Sequence, residues 1–524
     1  MVMNIKKIYI YISLAAVSLG FSSCDDYLDK LPDNRMELNS KEKVQKFLVS
    51  AYPERNAALL TEMYSDNTDA FKVTSWTSAG RFQDQAYSWD DITEVDDDET
   101  PQQLWNSFYK AMSTANTALK AIEDNGNTEE YQASKGEALL CRAFAAFQLT
   151  NTFCVAYNAT TAAKAMGIPY PMTPETKVGT KYERGTLAAC YDQMNRDIEE
   201  GLPLVTDNYA RPKYHFTRNA AYAFAALFIL YYQKYDKAVA YATRVLGTDA
   251  SAKLRDWKAF YSLSSNGQVA PNNYVNISSQ ANLLIQTAFS QAGAYLGPYN
   301  FAAKYAHGQL ISEKEDLQAQ GPWGSSSSFG YTVWNNNSLS KYFVNKIPYA
   351  FEYTDIQARI GYSHTAYPVL TTDLTLLVRA EANAMLGKYA EAVQDLNTEV
   401  KAFSGGNLSV TLTGIQDFYR GINYYTPTEP TPKKKFHTAF SIESTTQEPI
   451  LQAILQLRRI MTVGEGWRLQ DVKRYGIVMY RRTLNDSRKV IAVTDTMKED
   501  DPRRAIQLPQ DVITAGLPAN PRNK

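Results

Sequence analysis

The fold is decided by two matching stretches, Gln233-Lys234-Tyr235-Asp236-Lys237-Ala238 and Gly387-Lys388-Tyr389-Ala390-Glu391-Ala392. In each, Lys-Tyr-x-x-Ala follows a tight turn. The residues before and after each turn, 221–232 with 235–246 and 374–385 with 389–400, repeat apolar side chains at three- and four-residue intervals. This spacing is typical of one helix face. Each stretch therefore predicts two antiparallel helices, with alanines at their contact and the tyrosine filling the gap at the turn.

Paired helices of this kind are the units of tetratricopeptide repeats. The sequence thus predicts an all-α dominated fold, a tetratricopeptide-like helical repeat scaffold with long irregular loop insertions. The scaffold is assigned to residues 41–250 and 371–482, with further helices at 102–123, 130–153, 186–200, 447–463 and 467–482. Thr100 as N-cap and Pro101 at N1 mark the start of the first of these.

The remaining segments are rich in helix breakers. Residues 251–370 and 404–446 contain several Pro and Gly residues and weak helical periodicity. Long irregular segments on a rigid scaffold usually carry function. We expect these two insertions to form the ligand face, and residues 483–524 to form a C-terminal tail packed on the scaffold.

The N-terminus has the pattern of a lipoprotein signal. Lys6-Lys7 precede a 14-residue apolar run, Ile8 to Phe21, and Ser22-Ser23-Cys24 follows it. The run is shorter than the roughly 20 residues that span a membrane. Residues 1–23 are therefore predicted to be a cleaved signal peptide, Cys24 the lipidated residue and 24–40 a tether. The alternative is ordinary secretion with an incidental Cys24.

Composition excludes some classes of protein. The chain has 54 basic and 55 acidic residues, and removal of residues 1–23, with their two lysines, leaves 52 and 55, a net charge of −3. This near balance gives no reason to expect a nucleic-acid partner. The three cysteines of the mature chain other than Cys24 are too few for a disulfide framework. The sequence alone does not decide whether Cys141 and Cys154 form a disulfide bridge.

No catalytic signature is present. The chain lacks the motifs of zinc proteases, serine hydrolases and phosphate-binding loops, and its four histidines share no metal-ligand spacing. We therefore expect no enzyme, no catalytic residue and no cofactor. The acidic residues between Asp90 and Glu99 could hold a structural Ca²⁺, but a charged helix start is the preferred interpretation.

Aromatic residues are abundant, with 36 Tyr, 21 Phe and 7 Trp. Those in breaker-rich segments are candidate ligand platforms, since a flat ring offers an apolar face to a sugar while polar neighbours bond its hydroxyls. An extended peptide could use the same surface, or the rings could simply pin loops to the scaffold. The candidate ligand-binding residues are Trp76, Arg81, Tyr87, Trp89, Trp323, Tyr331 and Trp334.

The chain resembles the SusD/RagB family of outer-membrane nutrient-binding lipoproteins over essentially its whole mature length. The resemblance rests on Cys24-Asp25-Asp26-Tyr27-Leu28-Asp29, Glu137-Ala138-Leu139-Leu140-Cys141-Arg142-Ala143-Phe144, Gly167-Ile168-Pro169-Tyr170-Pro171, Arg458-Arg459, Glu465-Gly466-x-Arg468 and Asp471-x-x-Arg474-Tyr475. Ile460-Met461 stand where the family usually has Glu-Leu, and Tyr475 where it has Trp. Neither departure is expected to change the fold.

The resemblance implies a binding protein of Bacteroidetes-type bacteria that is held on the outer membrane by lipid and faces the exterior. Members act as a lid on a TonB-dependent SusC/RagA-like transporter and capture an oligomeric nutrient with it. Arg and Asp of the 465–475 signature are expected to pair between helices. Ligand residues vary between members and cannot be carried over. The cargo is expected to be a glycan, with a peptide as the rival and a protein-assembly role as a further alternative.

Overall fold

The computed structural model describes residues 37–71, 80–177, 179–298, 303–330, 333–336 and 340–522. Within this part of the chain lie eighteen α-helices and eleven strands. The helices are α1 (Lys41–Leu48), α2 (Ala58–Tyr64), α3 (Arg81–Tyr87), α4 (Pro101–Asp124), α5 (Gln132–Phe153), α6 (Leu187–Gly201), α7 (Arg218–Tyr231), α8 (Tyr235–Leu246), α9 (Trp257–Tyr261), α10 (Val269–Tyr274), α11 (Ala292–Tyr295), α12 (Gln309–Lys314), α13 (Thr372–Met385), α14 (Tyr389–Phe403), α15 (Leu412–Gly421), α16 (Gln447–Met461), α17 (Arg468–Arg474) and α18 (Gln510–Thr514). The strands are β1 (Asp69–Ala70), β2 (Asn282–Phe289), β3 (Tyr305–Ala306), β4 (Gln320–Gly321), β5 (Gly324–Ser325), β6 (Val333–Asn336), β7 (Lys341–Val344), β8 (Ala350–Asp355), β9 (Ile360–Thr371), β10 (Met479–Leu484) and β11 (Val490–Met497).

The two helix pairs predicted from the sequence form the centre of the scaffold. α7 packs against α8, α13 packs against α14, and α8 packs against α13, so that the two pairs are continuous. Gln233 and Gly387 have φ values of 62° and 73° in the turns between paired helices, a conformation that lets the chain reverse within three residues. The helical, tetratricopeptide-like fold class is confirmed.

The helix prediction fails at its C-terminal end. The helices expected at 102–123, 130–153, 186–200 and 447–463 are present, and the Thr100 hydroxyl accepts a hydrogen bond from the Gln103 N–H (3.4 Å) as predicted. The helix expected at 467–482 ends at Arg474. Gly476 follows with φ +60°, and a Cβ there would lie 2.1 Å from the His437 carbonyl oxygen. The chain then turns into β10, which pairs with β11.

A three-stranded antiparallel sheet lies in the region expected to be loop-rich. Its order is β2-β9-β8, and β9 runs directly into α13, where the Thr371 hydroxyl accepts from the Leu374 N–H (3.1 Å). The pattern does not predict β9, because its second half is buried on both faces and shows no apolar–polar alternation. The sheet joins the first insertion, residues 251–370, to the repeat scaffold.

A buried ionic network joins three helices. Arg458 of α16 contacts Glu381 of α13 (2.6 Å) and Asp471 of α17 (2.8 Å), and Arg474 and the Tyr475 hydroxyl also bond Glu381. Burial by itself raises the pKa of Glu381, but Arg474 and Arg458 hold that pKa below its usual value. The predicted pairing of Arg and Asp between helices is confirmed.

The cysteines are not bridged. Cys141 lies within α5 and Cys154 caps it, and both are free thiols. Thirteen helical residues place them about 20 Å apart along the axis, far beyond the roughly 7 Å limit between the Cα atoms of a disulfide. The carbonyls of Asn151 and Cys154 instead accept hydrogen bonds from the buried Lys473 ammonium (2.7 and 2.6 Å).

The C-terminal residues lie against the scaffold. The Arg504 guanidinium donates to the carbonyls of Val472 (3.0 Å) and Ile477 (2.5 Å). The Asn520 amide donates to the carbonyl of Phe153 (2.9 Å) at the end of α5. These buried donors fix the tail to backbone acceptors on α5 and α17.

One buried carboxyl group, that of Glu399, lies beside a second buried carboxylate, that of Asp373. Both oxygens of Glu399 in α14 are buried without a hydrogen-bond partner within the described part of the chain. Burial, and then the nearby Asp373 carboxylate, raise the pKa of Glu399 well above its usual value. The Asp373 carboxylate accepts a hydrogen bond from the Trp257 indole N–H (2.8 Å), which stabilises its negative charge. Of the two carboxyl groups, Glu399 is therefore the one that is destabilised when it is charged.

We expect Glu399→Gln to raise the free energy of unfolding at pH 8, because glutamine buries no charge. The folded-state pKa of Glu399 lies above the unfolded value of about 4.3, so the wild-type protein loses stability as the pH rises through that window and the variant does not. The expected gain is about 1–3 kcal/mol at pH 8 and close to none at pH 4. Urea unfolding at both pH values measures it.

Glu391→Gln on the same helix is the matched control, because Glu391 is exposed and its substitution should change stability little at either pH. A loss of stability in Glu399→Gln at pH 8, or a gain that is equal at pH 4 and pH 8, would contradict this account of Glu399.

Candidate ligand-binding site

A cavity of about 200 Å³ lies where α2, β3 and β7 meet the turn after α16. Its apolar walls come mainly from Leu59, Met63, Leu296, Phe343, Val344 and Val463. Its polar or aromatic lining comes from Glu62, Asn67, Thr68, Gln83, Tyr295, Lys304, Tyr305, His307 and Tyr342. Apolar walls with a few convergent polar groups are typical of ligand sites.

Short strand pairings position one wall of the cavity. Asp69 and Ala70 of β1 pair with Ala306 and Tyr305 of β3, and the Phe71 N–H donates to the Lys304 carbonyl (2.8 Å). The Lys341 ammonium donates to the carbonyl of Ala303. These contacts hold β1, β3 and the start of β7 together beside the cavity.

Tyr305 presents an aromatic ring at this wall. Its ring stacks on Tyr87 of α3, with centroids 4.5 Å apart and planes at 26°. Its hydroxyl donates to Asp84 Oδ1 (2.6 Å), which also accepts from the Lys304 ammonium (2.7 Å). Burial, together with the Asp84 carboxylate, raises the pKa of Tyr305 to about 12. The ring is therefore neutral, fixed in orientation and bordered by a cation and a carboxylate.

Gln83 carries a buried polar atom without a hydrogen-bond partner among the described residues. Its side chain is 3% exposed, and its Oε1 atom is buried with no hydrogen-bond partner among the described residues. Buried amide oxygens are nearly always paired with protein, water or ligand. Gln83 lines the cavity beside Lys304 and Tyr305, and its Oε1 atom lies close to Gly80, where a Cβ would be 2.5 Å away.

The floor of the cavity is polar but internally satisfied. The Glu62 carboxylate accepts from the Asn67 amide (2.8 Å) and from the N–H groups of Gly464 (2.9 Å) and Gly466 (3.2 Å). Burial raises the pKa of Glu62, and these hydrogen bonds oppose the rise. They tie α2 to the turn after α16.

His307 is held between two acceptors. Its Nδ1 lies 2.9 Å from the Asn67 carbonyl oxygen, and its Nε2 lies 3.0 Å from Asp316 Oδ1. Because a carbonyl and a carboxylate both accept, both ring nitrogens donate and the ring is an imidazolium. Burial by itself lowers the pKa of His307, but Asp316 raises it above its usual value.

A dense ionic network lies beneath this floor. Arg459 of α16 donates to Glu315 (3.0 Å) and to the Asn67 side chain (2.7 Å), while Arg468 of α17 bonds Asp66 (2.7 Å). Lys434 also contacts Glu315 (2.6 Å). The cavity floor is thus fixed to the scaffold by paired buried charges.

Two predicted platforms, Trp89 and Trp323, are buried side chains in this structure, and their role in ligand binding stays a prediction. Trp89 is 2% exposed and donates its indole N–H to the Tyr64 carbonyl (2.8 Å), with Arg481 over its ring (4.2 Å). Trp323 is 5% exposed and packs against Phe329, with ring centroids 5.3 Å apart. The loop-anchoring alternative stated for these rings fits both positions, because composition cannot tell a ring that faces solvent from one that anchors a loop.

The other predicted residues fall into two groups. Tyr87 is buried and supports Tyr305 from behind, and Arg81 is exposed at the start of α3, where it donates to the Thr93 hydroxyl (2.5 Å). Trp76, Tyr331 and the predicted lipidation residue Cys24 lie outside the described residues, as does the side chain of Trp334 in β6. Arg81 and Tyr87 thus lie at opposite ends of α3 and Trp89 follows it, while Trp323 packs elsewhere, against Phe329.

Sequence reasoning missed the polar centre of the cavity. Gln83, Asp84, Lys304 and Tyr305 did not stand out, although Gln83 and Asp84 are neighbours of Arg81 and Tyr87, and Lys304-Tyr305 lie within the insertion expected to carry the ligand face. A search that weighted polar residues next to candidate rings could have found the first pair. The second depends on the β1–β3 pairing.

The acidic cluster considered for calcium binds protein groups. Glu99 accepts from the Ser290 hydroxyl (2.6 Å) and the Gln291 N–H (2.8 Å), and burial raises its pKa to about 7. Asp98 pairs with Arg55 (3.0 Å). Over the described ranges, no group of three or more His, Cys, Asp or Glu side chains is placed to hold a metal ion.

Comparison with known proteins gives two family matches. Residues 26–230 match a SusD-like family described as "Starch-binding associating with outer membrane", and residues 299–511 match the SusD family, which includes RagB. The two matches together cover most of the chain. None of the curated proteins matches it. Among the described helices, none combines the length and apolarity needed to cross a membrane.

Several solved structures share the fold. A SusD superfamily protein from Bacteroides thetaiotaomicron is 19% identical with a TM-score of 0.63, covering 92% of this chain and 100% of its own. A putative sugar binding protein from Bacteroides vulgatus is 18% identical with a TM-score of 0.61, covering 93% and 99%. A SusD-like carbohydrate binding protein from the same species is 16% identical with a TM-score of 0.60, covering 91% and 96%. On the two family matches and this shared architecture, the chain belongs to the SusD/RagB family.

Proposed function

We propose that this protein is a lipid-anchored outer-membrane protein that binds an oligomeric glycan at the Tyr305 cavity and delivers it to a TonB-dependent SusC/RagA-like transporter. The observation that carries the proposal is the fixed Tyr305 ring with Gln83, Asp84 and Lys304 around it. Two of the structural relatives are named as sugar- or carbohydrate-binding proteins, which is consistent with this ligand class.

The chemistry of the cavity suits a sugar ring. The aromatic face of Tyr305 can pack against the C–H face of a pyranose. The Lys304 ammonium can donate to hydroxyl oxygens, and the amide group of Gln83 can form hydrogen bonds with hydroxyl groups. The cavity volume of about 200 Å³ suits one unit of an oligomer, and the rest of the oligomer would extend out of the cavity.

The same geometry favours binding over catalysis. The two most reactive groups at the floor, Glu62 and His307, are committed to structural hydrogen bonds. A general base must reach a substrate proton, and an imidazolium with both nitrogens donating cannot accept one. We infer that the protein releases its ligand unchanged.

We expect Tyr305→Ala to weaken binding of a neutral oligosaccharide by about 10- to 100-fold, as loss of a central aromatic contact does. Gln83→Leu should weaken it as well, since it removes the amide while keeping the volume. Isothermal titration against gluco-, manno-, xylo- and galacto-configured hexaoses measures both effects. Tyr261→Ala is the matched control, because Tyr261 is 59% exposed and distant in the chain from the cavity.

Unchanged affinity in both Tyr305→Ala and Gln83→Leu would remove this cavity from the proposal. Retention of peptides but no hexaose, in native mass spectrometry of the protein with a mixed digest, would move the cargo to the peptide alternative. Retention of neither by a complex with the transporter would favour the assembly role.

One preparation tests both the lipid anchor on Cys24 and the transporter partner. We expect the native protein to carry a lipid-sized mass increase on Cys24 and to co-purify from detergent-solubilised outer membranes with a transporter barrel. Cys24→Ala should release it from the membrane fraction, because acyl chains supply the attachment. Membrane retention of Cys24→Ala, or purification without a barrel, would contradict this part of the proposal.

A further inference from the structure

A second and larger cavity lies apart from the Tyr305 site. Its volume is about 630 Å³, within the 300–1,000 Å³ range of small-molecule sites. It shares no lining residue with the Tyr305 cavity. Its walls are α4, the extended segment 169–173, the loop 179–183 and the residues that follow α18.

The floor of this cavity is aromatic and rigid. Trp105 and Tyr109 on α4 are in ring contact (4.7 Å between centroids), and Trp105 also packs edge-on against Phe153 (5.2 Å). The Tyr109 hydroxyl donates to the Pro169 carbonyl (2.8 Å), and Asn116 donates to the Pro171 carbonyl (2.8 Å). These bonds fix the extended segment along α4.

The opposite wall is fixed by one buried cation. Arg184 is 4% exposed and donates to the Gly167 carbonyl (2.8 Å), the Pro518 carbonyl (3.0 Å) and Asn520 Oδ1 (2.8 Å). It therefore holds the C-terminal residues, including Leu517, at a set distance from the 167–171 segment. The cavity is a built feature of the fold, with hydrogen bonds on both sides.

The rim of the cavity carries charged and aromatic side chains that are available for contacts with a ligand. Tyr182 is 39% exposed, and Glu175, Lys181 and Glu183 make no ion pair within the described part of the chain. The Trp105 indole N–H also has no hydrogen-bond partner among the described residues. Donors, acceptors and one exposed ring thus surround an aromatic floor.

This chemistry selects a class of ligand. Two carboxylates against one ammonium give no attraction for an anion, and the hydroxyls of Ser113, Thr173 and Thr180 lie among apolar and aromatic side chains such as Trp105 and Tyr109. A neutral sugar can stack on Tyr182 while its hydroxyls bond the carboxylates, the ammonium and the Trp105 N–H.

We propose that the Trp105–Tyr182 cavity is a second glycan-binding site, which holds a neutral oligosaccharide independently of the Tyr305 cavity. The proposal rests on the proposed function for its ligand class but not for its residues. Two sites on one protein would raise the effective concentration of a long oligomer for each site.

The test monitors the fluorine resonance of a labelled Trp105 during ligand titration. The purified protein is labelled with 5-fluorotryptophan, and the Trp105 resonance is assigned by its loss in Trp105→Phe. Neutral gluco-, manno-, xylo- and galacto-configured hexaoses are then titrated, with a basic hexapeptide as the competing probe. We expect at least one hexaose to shift this resonance saturably, and Tyr182→Ala to weaken the response by about 10-fold. Tyr261→Ala serves as the exposed-tyrosine control.

Three results would overturn the proposal: no hexaose moves the Trp105 resonance, the response survives Tyr182→Ala unchanged, or only the hexapeptide moves it. The response should persist in Tyr305→Ala, and its loss there would mean that there is one site. If Tyr305→Ala leaves hexaose affinity unchanged while the Trp105 response is present, the Tyr305 proposal fails and this one stands.

Discussion

Two adjacent arginines on α16 are the constraint on which the architecture depends. Arg458 and Arg459 are both buried and leave the helix in different directions. Arg458 bonds Glu381 and Asp471 within the repeat scaffold, and Arg459 bonds Glu315 and Asn67 beneath the Tyr305 cavity. Each guanidinium is compensated by carboxylates that are themselves buried, so neither element can shift without exposing an unpaired charge.

This arrangement separates rigidity from recognition. The scaffold and the cavity floor have separate ionic networks that meet at α16, through Arg458 and Arg459. Glu62 and Asn67 connect the second network to the turn after α16. The surfaces that would meet a ligand are instead supplied by short strands and connecting segments around Tyr305. A family that keeps its scaffold and changes its cargo would need this division, because segments outside the network can vary without loss of buried charge pairing.

The sequence predicts the scaffold well and the site poorly, for a physical reason. A helix face is encoded locally, so the stripe around Phe224 and Phe228 and the cap at Thr100 could be read directly. The end of α17 could not, because Gly476 is needed for a close approach to His437, which is distant in the chain. Long-range contacts also decide the roles of the candidate ligand residues. Trp89 and Tyr87 are near neighbours in sequence, but packing against distant parts of the chain makes Trp89 a core residue and Tyr87 a support for Tyr305.

The most direct test of this account is hydrogen exchange on Arg459→Met, compared with Arg458→Met and the wild-type protein. The account predicts that Arg459→Met increases exchange in residues 303–321 and weakens oligosaccharide binding, while the α7–α8 pair keeps its protection. Removal of one partner from a buried ion pair costs about 3–5 kcal/mol, so protection should fall by about 100-fold or more. Arg458→Met should instead affect α13 and α17. Equal loss of protection throughout the chain in both variants, or none around residue 315 in Arg459→Met, would contradict it.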